Sequence, residues 1–221
     1  MEARYPGKRY TGLWIFGVTL GFFEAAIVVY LRQIVCPGGF QLPLAHMDMP
    51  LLTVELAREM ASLIMLAGVA LAAARKRREV LPVFFLVFGI WDIFYYVFLK
   101  ITLNWPESLA TWDLLFLVPA PWSSPVWAPV LVALLFTAVP SFILLRGVVK
   151  PYTVLDRTLM TAGGAVVLVS FLYNARTLIA GGVPESFPLF IYIPGLLLML
   201  IGSVKGLTKN DQPLRHDLLG L

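Results

Sequence analysis

Charge is what this sequence has least of. Only 14% of its 221 residues are charged, against about a quarter in soluble domains, while 59% are hydrophobic and the mean hydropathy is +0.83. That balance excludes an ordinary soluble globular protein. Cysteine and histidine are nearly missing as well: one Cys, Cys36, and two His, His46 and His216. A single cysteine rules out an intrachain disulfide. Neither histidine completes a Glu-x-x-His motif, so the paired signature of a di-iron carboxylate bundle is lacking. The apolar segments also hold no histidine to ligate haem or to complete a Ser–His–Asp triad. No haem or di-iron signature is present, and no cofactor is assigned.

Basic residues exceed acidic ones, 17 to 13, for a net charge of +4. They fall in short clusters between apolar segments, which is the orientation signal of a membrane protein and not a nucleic-acid footprint. The apolar segments number six, at roughly 11–33, 53–74, 80–103, 126–148, 159–180 and 188–206, each near the ~20 residues needed to cross a bilayer. Arg4, Lys8 and Arg9 precede the first, but no small-residue cleavage site follows and Glu24 is out of place in a signal peptide. The first span is therefore expected to be retained. Most Lys and Arg lie on alternate connections: the N-terminus, 75–78, 146–157 and 205–215. By the positive-inside rule both termini face the cytoplasm, in a cell membrane of inner or plasma type.

The expected fold is thus an all-α, six-helix integral membrane protein, one polytopic domain over 1–221 with a cytoplasmic tail at 207–221. The connection after the third span holds four of the six tryptophans, Trp105, Trp112, Trp122 and Trp127. It is too short to span and has Pro106 placed to start a helix, so 105–125 reads as an interfacial or re-entrant helix over the outer face.

The polar residues inside this apolar frame carry the functional argument. The third span contains Asp92, Tyr96 and Lys100 at four-residue steps, with Tyr95 alongside. A charge at that depth costs ~2.5–3.5 kcal/mol even on lenient insertion scales. Glu24 lies at similar depth in the first span, one turn beyond Gly17 and Gly21, whose spacing permits close helix approach. Glu55, Arg58 and Glu59 open the second span, where helix N-termini favour carboxylates. Asp113 sits among the tryptophans, and Asn174 and Arg176 lie near the outer end of the fifth span. With the orientation above, these groups gather in the outer half, while the cytoplasmic half is almost purely apolar. The expectation is an outward-facing polar pocket roofed by 105–125. Asp92 and Glu24 are the candidate catalytic acids or bases, and Glu55, Arg58, Glu59, Tyr95, Tyr96, Lys100, Asp113, Asn174 and Arg176 the candidate ligand-binding residues.

Metal chemistry finds weaker support. Cys36, His46, Met47 and Met49 are soft donors of the kind Cu(I) takes, but a lone histidine with no second ligand at metal spacing makes no site. An all-carboxylate Mn, Mg or Ca site from Glu24, Glu55, Glu59 and Asp92 is chemically open. Glu24, Glu55 and the Asp92–Tyr95–Tyr96 group together resemble, faintly, the sterol isomerase and emopamil-binding class, which implies a polar pocket for amphipathic amines or sterols in a small bundle. The resemblance covers about a third of the chain and carries no diagnostic motif. The histidine expected near the first-span glutamate is absent and the helix count differs, so membership is not claimed. The partners implied are the lipid bilayer and a small or lipid-like ligand, with no nucleic acid. The competing reading is a non-catalytic subunit of a membrane complex, its charges settling packing and partner contacts.

Overall fold

The computed structural model describes residues 5–35, 48–146 and 152–208. Cys36, His46 and Met47 lie outside the described residues, as does the tail beyond 208. The protein is mostly helical: α1 (Gly7–Val35), α2 (Met49–Ala73), α3 (Val80–Leu103), α4 (Trp127–Arg146), α5 (Val154–Leu172), a short α6 (Ala175–Ile179) and α7 (Leu189–Thr208). Among the described residues five helical stretches are long and apolar enough to cross a membrane, the fifth running through α5 and α6 from Val154 to Ile179; the apolar part of α7, Leu189–Lys205, is shorter. Helices suit a bilayer because every backbone N–H and C=O is satisfied within the segment. Large apolar side chains such as Phe22, Phe23, Ile64 and Phe190 are exposed, as expected of surfaces that meet lipid.

The helix expected across 105–125 is not there. That segment forms an antiparallel hairpin, β1 (Trp112–Phe116) and β2 (Trp122–Pro125), with Asp113 opposite Ser124 and Phe116 opposite Trp122. The chain around it explains the difference. The Ser108 carbonyl accepts from the Thr111 amide, the Thr111 hydroxyl accepts from the Ser108 amide, and the Ser108 hydroxyl accepts from the Ala110 amide. Hydroxyl side chains that compete for backbone groups in this way make turns, not helix. Pro119 and Pro121 then deny a helix its donors, and the aromatic residues on either side suit a pleated pair.

The third helix is the central element. Val83, Leu86, Val87 and Ile90 are fully buried in it, and α3 packs against α1, α2 and α4. Gly17 and Gly21 make the α1 contact: a methyl group at Gly21 would lie 2.9 Å from the Trp91 carbonyl oxygen. The second major unit is the α5–α7 pair, which meets α4 only sparingly. It is joined to the rest at the hairpin end by rings. Trp122 stacks on Phe171 at 6.5 Å, Trp127 meets Phe187 edge-on at 5.6 Å, and the Tyr192 hydroxyl donates to the Ala128 carbonyl at 2.7 Å. At the far end Tyr5 donates its amide to Leu144 and its hydroxyl to Ala73. The α5–α7 pair is thus held at the hairpin end and spaced from the α1–α4 group elsewhere. That spacing leaves a partly open cavity.

Candidate functional site

The cavity has a volume of about 960 Å³, at the upper end of the ~300–1,000 Å³ usual for ligand sites. Its lining changes along its length. At the hairpin end stand Glu24, Arg58, Glu59, Asp92, Tyr95 and Asp113; at the opposite end stand Arg75, Lys76, Arg78, Glu79, Tyr152 and Arg157. Between them the wall is apolar, with Phe85, Phe88, Phe136, Val139, Ile143 and Leu168. The polar lining is therefore not confined to the half that holds Asp92.

The carboxylates at the hairpin end are held in two groups. Glu55, Glu59 and Ser62 occupy one buried face of α2, as residues three and four apart must. Arg58 lies between the acids: its guanidinium donates to both Glu55 oxygens, at 2.9 and 2.6 Å, and to Glu24 across on α1. Glu24 is also in reach of the Ser62 hydroxyl at 3.5 Å. Arg58 is thus the cation that lets Glu24 and Glu55 be buried together. It also stands where a metal would need to sit, and among the described residues no cluster of three or more metal-ligating side chains is present. Met49, the described member of the soft-donor set, is exposed. Glu59 has a different partner: both its oxygens accept from the Leu117 amide, at 3.0 and 2.9 Å, which pins the hairpin to α2.

The second group centres on Asp113 in β1, which is almost wholly buried. It accepts from the Tyr96 hydroxyl at 3.0 Å and pairs with Arg32 at 3.6 Å. The Arg32 guanidinium lies over the Trp105 ring, 3.8 Å from its centroid, a cation–π contact. Burial raises the Asp113 carboxyl from the ordinary aspartate value to about 6, with Arg32 and the Tyr96 hydrogen bond opposing that shift.

Asp92 is the exception. It lines the cavity yet makes no hydrogen bond or ion pair among the described residues, and Tyr95 beside it makes only a ring contact with Tyr96, at 5.0 Å. The indole N–H groups of Trp91 and Trp122, buried and without partners among the described residues, border the same space. Buried polar groups are normally satisfied, and each exception asks for an explanation.

Of the remaining candidates, three do not line the cavity. Lys100 donates to the Asn104 and Pro106 carbonyls at the end of α3, at 3.2 and 2.9 Å, which suits a cation at a helix C-terminus. Asn174 donates to the Ser186 carbonyl at 3.2 Å, and Arg176 is exposed on α6. The residues that the spacing did not single out are Trp91, Trp122 and the Leu117 amide at the hairpin end, and Tyr152 and Arg157 at the other. No protein-family model, no curated protein and no solved structure matches the chain.

Proposed function

We propose that this multi-pass membrane protein binds an amphipathic, lipid-like molecule inside the helix bundle. Its polar portion would lie against Asp92 and Tyr95 and its apolar portion along the wall formed by α3, α4 and α5. The observation that carries the reading is that Asp92, on the wall of a ligand-sized cavity, has no partner among the described residues. Every other carboxylate of the hairpin end has a guanidinium, hydroxyl or amide to satisfy it, whereas a lone intramembrane carboxylate is a functional group by default. If the bound molecule is also processed, proton transfer falls to Asp92 with Tyr95, because Glu24 is already committed to Arg58.

Six spans with both termini cytoplasmic form part of this reading, with α7 as the sixth; the alternate basic connections support it. A membrane-impermeant reagent that labels a C-terminal tag in intact cells would sink that orientation.

The pocket itself is tested by two variants and one measurement. Gly164 lines the cavity and has open space where a side chain would be, so Gly164→Leu should fold and fill the apolar middle. Asp92→Asn removes an unpaired carboxylate and should leave the protein at least as stable. Native mass spectrometry of the gently solubilised wild type should find a bound lipid-sized mass, reduced or absent in both variants. A wild type with no such mass, or full occupancy in both variants, defeats the reading.

The packing reading keeps one specific support, the Glu24–Arg58–Glu55 cluster, which ties α1 to α2 as a structural network would. It accounts for that cluster and leaves Asp92 unexplained.

A further inference from the structure

The end of the cavity away from the hairpin has a chemistry of its own. Four cationic side chains, Arg75, Lys76, Arg78 and Arg157, border it against one carboxylate, Glu79. Glu79 is engaged by Arg75: the guanidinium donates at 2.6 Å and the backbone amide at 2.8 Å. Arg157, in the first turn of α5, has no ion pair among the described residues. Tyr152 stands just before α5; its hydroxyl is buried with no hydrogen-bond partner among the described residues, and the residue borders the same cavity. Burial, with Asp156 nearby, pushes this phenol up to about 12, so it remains a donor.

Orientation in the membrane accounts for basic residues in a loop. It does not account for their bordering a cavity, nor for a buried phenol hydroxyl beside them with no partner among the described residues. A buried hydroxyl without an acceptor is costly; an anion supplies that acceptor, and arginine forks suit the several oxygens of a phosphate. The apolar wall begins directly beyond, at Leu81, Pro82, Phe85 and Ile143, where a free inorganic anion would gain nothing.

We infer that the basic end of the cavity binds the phosphate group of an anionic lipid whose chains run into the apolar middle. This rests on the amphipathic-ligand reading above and names the class of ligand. It also sets the ligand's direction: the phosphate lies at the Arg157 end, the chains fill the apolar middle, and a second polar group remote from the phosphate meets Asp92 and Tyr95.

The test is a binding titration of the purified full chain, by native mass spectrometry, with three probes: dioleoyl phosphatidic acid, dioleoylglycerol with the same chains, and inorganic phosphate. Phosphatidic acid should bind at least about tenfold more tightly than dioleoylglycerol, as expected from loss of charge-assisted hydrogen bonds. The double variant Arg78→Gln/Arg157→Gln should lose that preference, and Tyr152→Phe should reduce it about threefold. Both changes fall at a cavity mouth, so unchanged thermal stability is the control for folding. Equal binding of the two lipids, or an unaltered preference in the double variant, overturns the headgroup site. Inorganic phosphate binding as tightly as phosphatidic acid overturns the lipid assignment. Gly164→Leu separates the layers: if it blocks both lipids while the basic variants change nothing, the apolar pocket stands and the phosphate site falls. If no lipid binds and Gly164→Leu is silent, the pocket falls first.

Discussion

The two ends of the cavity are built on opposite plans. At the hairpin end the charges other than Asp92 are interlocked: Arg58 between Glu24 and Glu55, Glu59 on the Leu117 amide, Asp113 between Arg32 and Tyr96. At the basic end one pair, Arg75 with Glu79, sits among further cations. Buried charges must be paired where water is absent, because removing one partner strands the other. Cations at a cavity mouth reach water and need no such pairing. The same residue type therefore does different work at the two ends. At one, Arg58 ties helices together; at the other, Arg157 is exposed and makes no ion pair among the described residues.

The largest test of that contrast is Arg58. Arg58→Met leaves Glu24 and Glu55 facing each other without a cation, both buried, and should cost about 3–5 kcal/mol. The expected readout is a large fall in melting temperature or loss of a monodisperse peak on size exclusion. Arg157→Gln, an exposed change with no ion pair to break, should stay within about 0.5 kcal/mol. If both variants melt alike, the two ends are not differently built and the contrast collapses.

How much of this was legible in the sequence follows from the range of the forces involved. The helices were legible because spans need only composition over a window, and α3 emerged as the central element for the same reason. Glu55, Glu59 and Ser62 could be placed on one face because helical periodicity is local. The Arg58 bridge to Glu24 joins residues far apart in the chain, and no spacing announces such a pair. The hairpin was missed because its length and Pro106 suggested a helix. The Ser108–Thr111 turn and the Pro119–Pro121 corner held the opposite signal. Gly163 and Gly164 are adjacent glycines that residue type alone does not distinguish. A methyl at Gly163 would lie 2.6 Å from the Gly195 carbonyl oxygen, whereas one at Gly164 meets nothing. The basic end was read only for orientation, because a cavity formed by spacing between two helix groups leaves no mark on either sequence.

A smaller effect sharpens the account of the hairpin end, where burial and pairing act on Asp113 in opposite directions. In the fold its carboxyl titrates near 6, burial having outweighed Arg32 and Tyr96, while in the unfolded chain an aspartate titrates near ~3.9. Between those values the native state holds the proton that the unfolded chain has released. The contribution to stability is therefore full below about pH 4 and lost as the pH rises to about 6, a change of about 2–3 kcal/mol. Asp113→Asn removes this titration while keeping the shape and an acceptor for the Tyr96 hydroxyl. Arg32 and Tyr96 stay in both proteins, so the difference between their melting profiles reports Asp113 together with its charge coupling to Asp92. Wild type should lose stability relative to Asp113→Asn across pH 4 to 6. A wild type that instead gains over the same interval would mean that the Arg32 pair outweighs burial. Asp113 would then belong with Glu24 and Glu55 among the locked charges, and Asp92 would stand alone as the acid left open to a ligand.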